Sequence, residues 1–263
     1  MKRTGEIIWT LVAILPLLLP SAGCGERPGD DRIPDPDFGE AGTAEAVDLV
    51  ELEGVFYLKE TGLPFTGRAV YRYPSGETYR EGDYRDGRQD GQWLSRYESG
   101  REMARENYRD GLLEGPAVRW YESGQKLSEV DYRAGRKHGR VREWYESGAK
   151  KLESERLDGR AHWKATRWYE SGRRMMETEW RDGALHGRAV MWYEDGRIQL
   201  ESQWREGREH GRWISYYEDG QRRSEESWRD GRRHGRSIRW TEDGLPEREE
   251  FWEDGVRIGT PAR

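Results

Sequence analysis

A 24-residue glycine register constrains this chain more than any other feature of its sequence. One glycine of a recurring turn falls at Gly87, Gly111, Gly135, Gly159, Gly183, Gly207, Gly231 and Gly255. A second series keeps the same spacing at Gly76, Gly100, Gly124, Gly148, Gly172, Gly196, Gly220 and Gly244. Neither series admits an insertion, so we expect each unit to stack on the next with fixed geometry, as in solenoid proteins.

One unit predicts two β-strands. Residues 186–207 read "HGRAVMWYEDGRIQLESQWREG", which is two runs of strand length, each followed by an acid and a glycine. Such punctuation is typical of hairpins, and a helix tolerates glycine poorly. We predict an all-β fold: an elongated single-layer antiparallel meander of 24-residue hairpins, with a tight turn and a wider turn alternating. The wider turn contains motifs such as "RDGRRHGR" at residues 229–236.

The repeat also predicts a register. A three-residue "EDG" turn with Gly196 in the left-handed conformation would place Val190, Trp192 and Trp204 on one face of the sheet. One unit departs from the pattern, because Arg156 replaces an aromatic residue and Trp163 replaces a glycine. We expect that unit to be distorted; the alternative is that a partner docks there.

Composition favours an ordered sheet of nearly neutral charge. From residue 61 onward, Leu, Ile, Val and Phe number only 22, but Trp and Tyr number 25 and can bury large areas on a sheet. The whole chain carries a net charge of −6, of which the first 60 residues contribute −7, so the remainder is +1. This balance argues against nucleic acid as a partner, because such binding relies on a strong positive field.

The N-terminus predicts export. Residues 1–23 combine a short basic start, an apolar run broken by prolines and a small-residue exit, which is the order of a signal peptide. The exit "SAGC" resembles the lipobox of bacterial lipoproteins and implies lipidation of Cys24, although Ser21 stands where that pattern prefers Leu. Residues 24–53 are predicted to form a flexible acidic tether, and residues 54–263 a repeat domain of about eight units. The entry segment from Gly54 and the exit containing Pro261 are expected to close the two edges of the sheet.

The repeat region resembles a known family. The entry "LPFTGRAVYRYPSGETYREGDYRDGRQDGQW" and the units "WYESGxxxxExxYRxGxxHG" are similar to bacterial MORN-repeat-variant proteins, often labelled YwqK-type antitoxins. The resemblance covers about residues 54–263. It implies a repeat sheet used as a scaffold or binding surface, and it brings no catalytic residues.

Candidate catalytic and metal-binding residues do not form a site in this pattern. The five histidines, His138, His162, His186, His210 and His234, recur two strands apart, about 9–10 Å, whereas two ligands of one zinc lie within about 4 Å of each other. We interpret them as turn residues. The glutamates equivalent to Glu201 are expected to pair with arginines on neighbouring strands. We predict no enzyme activity, no metal and no cofactor.

The function predicted from the sequence is an envelope-tethered scaffold for protein–protein interaction, anchored to the membrane through the lipid on Cys24. Two alternatives remain: an antitoxin or immunity-type protein that meets its toxin outside the cytoplasm, and a surface protein that binds cell-wall or other glycans. The partner would then be a toxin, another envelope protein or a glycan. The candidate binding surface comprises Trp120, Trp144, Trp168, Trp192, Trp204, Tyr216, Trp228 and Trp240.

Overall fold

The computed structural model of the protein describes residues 44–45 and 49–260. Every regular secondary-structure element in this part of the chain is a β-strand, so the predicted all-β class is confirmed. The predicted signal peptide and Cys24 lie outside the described residues. The strands are β1 (Ala44–Glu45), β2 (Leu49–Leu52), β3 (Val55–Leu58), β4 (Gly67–Arg72), β5 (Thr78–Arg85), β6 (Arg88–Arg96), β7 (Glu102–Arg109), β8 (Leu112–Leu113), β9 (Gly115–Trp120), β10 (Lys126–Arg133), β11 (Arg136–Trp144), β12 (Lys150–Leu157), β13 (Arg160–Trp168), β14 (Arg174–Arg181), β15 (Ala184–Trp192), β16 (Ile198–Arg205), β17 (Arg208–Tyr216), β18 (Arg222–Arg229), β19 (Arg232–Trp240), β20 (Pro246–Glu253) and β21 (Val256–Gly259).

Strands β4 to β21 form one open antiparallel meander, as predicted. Each strand pairs with its neighbours in the chain, and β8 and β9 are two parts of one interrupted strand that lies between β7 and β10. The short strand β1 extends the sheet beyond β4. The hairpin β2–β3 forms a separate two-stranded sheet.

The turns that contain the "EDG" motif or its equivalents have the predicted three-residue loop. In the β15–β16 hairpin the Tyr193 amide donates to the Arg197 carbonyl, and the Gly196 amide donates to the Tyr193 carbonyl. Gly196 has φ +95°, which is the left-handed conformation that glycine adopts cheaply. The same pair of bonds recurs in the other units.

The expectation of a wider turn at the "RDG" motif is wrong. Arg229 pairs directly with Arg232, and the two residues between them, Asp230 and Gly231, have φ +49° and +84°. This is a two-residue type I′ turn, whose twist matches that of the flanking strands. Gly235 does not belong to the turn; it lies inside β19, beside a register shift between Glu226 and Trp228.

The predicted grouping of Val190, Trp192 and Trp204 on one face is also wrong. Trp192 pairs with Ile198 as the three-residue turn requires, but Met191 pairs with Leu200, so Gln199 is an extra residue. This bulge shifts the register by one and places Trp204 opposite Gly187, on the same face as Met191. We call this the core face. The opposite face, which carries Val190, Trp192 and Glu201, is called the ladder face.

The core face holds most of the apolar contacts. Its main cluster contains Ala161, Ala165, Met176, Trp180, Leu185, Met191, Leu200 and Trp213. All of these residues belong to strands β13 to β17, so the buried side chains cover one another along a single sheet. Small residues such as Ala161 and Ala165 pack in this cluster beside large ones such as Trp180 and Trp213.

The first strands of the sheet are covered by the β2–β3 hairpin. Phe56 stacks against Tyr84 with ring centroids 4.8 Å apart, and its amide donates to the Gly87 carbonyl. The expectation that the entry segment adds an edge strand is therefore wrong, because β3 caps the core face and β1 forms the edge. Strands β1 and β2 lie within residues 24–53, the segment predicted as a tether. Pro261 lies outside the described residues.

Candidate functional site

The eight residues of the predicted binding surface lie on two faces. The ladder face carries Trp120, Trp144, Trp168, Trp192, Tyr216 and Trp240, and the core face carries Trp204 and Trp228. All eight are half-buried. The six on the ladder face recur at equivalent positions of alternate strands, so they form one row near the three-residue turns. The sequence did not predict this division because it depends on the bulge at Gln199.

Ion pairs run along the ladder face beside this row. Equivalent pairs join neighbouring strands in Arg68–Glu81 (2.9 Å), Lys164–Glu177 (2.7 Å), Arg188–Glu201 (2.6 Å), Arg212–Glu225 (2.6 Å) and Arg236–Glu249 (2.6 Å). The predicted pairing of the glutamates with basic residues on neighbouring strands is confirmed. Hydrogen bonds from Arg68 and Arg96 lower the pKa of Glu81, so this carboxylate stays ionised to a lower pH than an unpaired glutamate.

Cations cover part of the aromatic row. The Arg105 guanidinium lies 5.5 Å from the ring centroid of Trp120, and the ammonium groups of Lys126 and Lys150 lie 5.2 and 5.4 Å from Trp144 and Trp168. These are cation–π distances. One face of each of these three indoles is thus already in contact with a side chain of the protein.

A second aromatic series connects consecutive units. The hydroxyl groups of Tyr73, Tyr97, Tyr121, Tyr145, Tyr169, Tyr193 and Tyr217 each donate to a backbone carbonyl 23 residues further along the chain, at 2.8–2.9 Å. Burial raises the pKa of these tyrosines where a shift is seen, as at Tyr145 and Tyr169. The series therefore has a structural role at the three-residue turns.

The histidines contact the other turns, and their interpretation as turn residues is wrong. Each lies in a strand, and the Nδ1 atoms of four of them lie 3.0–3.6 Å from the carboxylate of the turn aspartate 20 residues later: His138, His162, His210 and His234. The Asp182 and Asp254 amides donate to His162 and His234 at 3.3 and 3.4 Å. Thr66 and Glu114 occupy the same position and accept the amides of Asp86 and Ala134 with side-chain oxygens. In these units the side chain at this position therefore provides a hydrogen-bond acceptor that links one unit to the next. The Nδ1 atoms of His186 and His210 have no hydrogen-bond partner within the described residues.

The expected distortion of the unit around residues 156–163 is wrong as well. Strands β12 and β13 keep the pairing of the other units. Trp163 adopts φ +59°, the left-handed conformation of the glycines at equivalent positions, and its side chain remains 55% exposed. Its ring contacts the His162 ring edge-on, with centroids 4.4 Å apart. The strand pairing of this unit is therefore regular, and the backbone strain is confined to Trp163.

Buried ion pairs on the core face were not predicted from the sequence. Glu106, which is 2% exposed, accepts hydrogen bonds from Arg80 at 3.1 Å, Arg119 at 3.4 Å and Tyr108 at 3.0 Å. Burial raises the pKa of Tyr108 to about 12. The available signal was a glutamate at three positions of one 24-residue column, Glu106, Glu226 and Glu250, but only the correct register shows that this column faces the core.

Within residues 44–45 and 49–260, no group of three or more His, Cys, Asp or Glu side chains is arranged to hold a metal ion. The described residues also contain no helix of sufficient length and apolarity to cross a bilayer.

Comparisons with known proteins match the repeat pattern. The model of the MORN repeat variant matches residues 113–134 and 209–230, and that of the MORN repeat matches residues 179–196 and 227–236. No curated protein matches the chain. Among solved structures, the chain is similar to one in "Crystal Structure of TcdB2-TccC3-Cdc42", with 12% identity, a TM-score of 0.18 and coverage of 77% of this chain and 13% of that one. The chain thus spans a small part of that relative, and a TM-score of 0.18 does not indicate a shared fold. The four matched segments all lie in the meander of hairpins, so these parts of the repeat region are similar to MORN repeats.

Proposed function

We propose that this protein is a non-enzymatic scaffold that binds a protein partner through the ladder face. MORN repeats are in general scaffolds for protein or membrane interaction, and the repeat is non-enzymatic in general. The observation that supports the proposal most is the continuous row of half-buried aromatic residues beside the ion pairs of the ladder face. Aromatic and arginine side chains are the residues that anchor protein interfaces.

The cation contacts favour a protein over a glycan. A sugar that stacks on an indole needs an open ring face, whereas Arg105, Lys126 and Lys150 already contact one face of Trp120, Trp144 and Trp168. A protein partner can instead contact the ring edges and exchange ion pairs with the ladder. The antitoxin alternative is a special case of this proposal, in which the partner is a toxin met outside the cytoplasm.

We further propose that the protein acts at the cell envelope, tethered by a lipid on Cys24. This rests on the N-terminal sequence alone. Mass spectrometry of the mature N-terminus tests it, and a Cys24 residue without lipid would contradict it.

The binding proposal is tested by crosslinking and pull-down from intact cells with paired variants. Trp192→Gln changes the ladder face, and Trp204→Gln changes the core face by the same substitution. We expect Trp192→Gln to lose the crosslinked partner and Trp204→Gln to keep it, with thermal melts showing that both variants are folded. A partner retained by Trp192→Gln would contradict the proposal.

Two further measurements separate the alternatives. Co-sedimentation with peptidoglycan or polysaccharide that is lost in Trp192→Gln would favour glycan binding. Rescue of cells that express a neighbouring candidate toxin would identify the partner as a toxin. We expect no sedimentation with glycans.

A further inference from the structure

Two arginines on the core face have no counter-ion within hydrogen-bond or ion-pair distance among the described residues. Arg156 is 8% exposed, and its Nε atom is buried without a hydrogen-bond partner. Arg167 is half-buried on the adjacent strand β13. A buried guanidinium without a partner is strongly unfavourable, because desolvation of the charge is not compensated.

Ser154 lies between the two arginines on the same face. In β12 it precedes Arg156 by two residues, and it follows Leu152, which pairs with Arg167. Ser154 is 4% exposed, and its Oγ atom is also buried without a hydrogen-bond partner. Ser154 and Arg156 therefore each have a buried donor without a partner, and Arg167 lies close enough to Arg156 for the two charges to repel each other.

An equivalent patch in the same molecule contains the missing group. Two units earlier, the position of Ser154 is occupied by Glu106, which accepts a hydrogen bond from Arg119 at 3.4 Å. Arg119 follows Glu106 by 13 residues, and Arg167 follows Ser154 by the same 13 residues. The arginine is thus retained at this position while the carboxylate is replaced by a smaller residue.

Other arginines on this face are also supplied with a carboxylate from the same column. Glu226 accepts from Arg233 at 3.2 Å, and Glu250 accepts from Arg248 at 2.6 Å and from Arg257 at 3.0 Å. The patch of Arg156, Ser154 and Arg167 lacks this carboxylate. Glu143 interacts with Arg167 electrostatically but forms no ion pair with it within 4.0 Å.

We propose that Arg156, Ser154 and Arg167 form an anion site that takes a carboxylate group from outside the chain, in the position that Glu106 occupies in the equivalent unit. The carboxylate belongs to a small organic acid or to an acidic residue of a bound peptide. Both would accept hydrogen bonds from the two guanidinium groups and from the Ser154 hydroxyl. The site lies on the core face, so it is independent of the ladder face used in the proposed function.

Ligand-dependent thermal stability of the full-length chain in mild detergent tests the site. Sodium acetate is compared with sodium chloride and sodium phosphate at equal ionic strength, and an amidated, acetylated peptide with one glutamate forms a further arm. Because a ligand that binds only the folded state raises Tm, we expect acetate or the peptide to raise it by roughly 2–4 °C over chloride. The arm with the larger effect identifies the source of the carboxylate.

Two variants test whether the rise in Tm comes from binding at Ser154. Ser154→Glu provides the carboxylate internally, so we expect a higher Tm in chloride and no further rise with acetate. Ser202→Glu is the matched control, since residue 215, which lies 13 residues later, is serine rather than arginine. This control is expected to lower Tm, because it buries a carboxylate without a partner.

Two results with the wild-type protein would overturn the proposed site, independently of the variants. One is a wild-type Tm that does not respond to acetate or to the peptide beyond the effect of chloride. The other is a response to phosphate alone, which would contradict the assignment to a carboxylate. A response that persists unchanged in Ser154→Glu, or in Arg167→Met if the former variant does not fold, would place the bound anion elsewhere.

Discussion

Single side chains tie each unit to the next at both ends of the hairpins. At the three-residue turns, a tyrosine hydroxyl donates to a carbonyl of the following unit, as from Tyr193 to Tyr216 at 2.8 Å. At the two-residue turns, the Gly231 amide donates to the Glu209 carbonyl of the preceding unit. These bonds satisfy backbone groups that the strand ladders leave unpaired. The regular 24-residue spacing of these Tyr and Gly residues is therefore explained by the hydrogen bonds that they form.

The first prediction concerns the tyrosine series. Tyr193→Phe removes the hydroxyl that donates to the Tyr216 carbonyl, and we expect it to lower the free energy of unfolding by about 1 kcal/mol. Tyr216→Phe is the matched control, because the Tyr216 hydroxyl forms no hydrogen bond within the described part of the chain. Urea unfolding of both variants provides the measurement. Equal losses in the two variants would show that the hydroxyl bond contributes nothing specific.

The second prediction concerns Trp163, which holds a left-handed conformation that costs a residue with a side chain about 1–2 kcal/mol. Trp163→Gly is expected to raise the free energy of unfolding by about 1 kcal/mol, since the exposed indole gives up little buried area. Gly115→Ala provides the control at an equivalent position, where φ is +82° and no atom lies within 4 Å of the added Cβ. It is expected to lower stability by about 1 kcal/mol, and a loss of stability in Trp163→Gly would contradict the account.

At the scale of the strands, the sequence predicted the meander and one of its two turns but not the faces. The alternation of glycine and apolar residues is a local signal, and the "EDG" loop follows from local backbone preference. Gln199 carries no such signal, because a bulge is placed by the packing of both strands together. One unmarked residue therefore reversed the predicted face of Trp204, and with it the composition of the binding surface.

The third prediction tests the ion pairs of the ladder face by pH. Glu81 accepts hydrogen bonds from Arg68 and Arg96, both at 2.9 Å, and its pKa in the folded state lies below the unfolded value of 4.5. A lowered pKa means that this contribution to stability is present above pH 4.5 and is lost as pH falls through the folded pKa. Because Arg68 is largely exposed, we expect a contribution of less than about 1 kcal/mol.

Glu81→Gln measures this contribution directly. The difference in unfolding free energy between the wild type and the variant should be largest near pH 7 and should decrease as pH falls below 4.5 towards the folded-state pKa. Glu98→Gln, in an exposed turn, serves as the control variant at each pH. A difference that stays constant from pH 7 to pH 3 would show that the pair does not stabilise the fold electrostatically.

At the scale of the whole molecule, the fixed register means that the sheet can be lengthened or shortened in steps of 24 residues. Each unit contacts its neighbours through the strand ladders, the tyrosine hydroxyls and the turn glycines, so stability is expected to follow the number of units. The apolar cluster lies in strands β13 to β17, whereas buried ion pairs such as those of Glu106 and Glu250 lie nearer the two ends. Apolar clusters and buried ion pairs therefore alternate along the core face.

The fourth prediction tests this organisation by deletion. Removal of residues 214–237, which are 24 residues, joins Trp213 to Ile238 and restores an uninterrupted unit, so we expect a folded sheet with a lower Tm. Removal of residues 214–236 keeps Ser237 as one extra residue in the joined strand, which sends every later side chain to the opposite face. Circular dichroism and thermal melting of the two proteins provide the comparison. If the two deletions were equally stable, the register of the repeat would not control folding, because a difference of one residue would then be absorbed without loss.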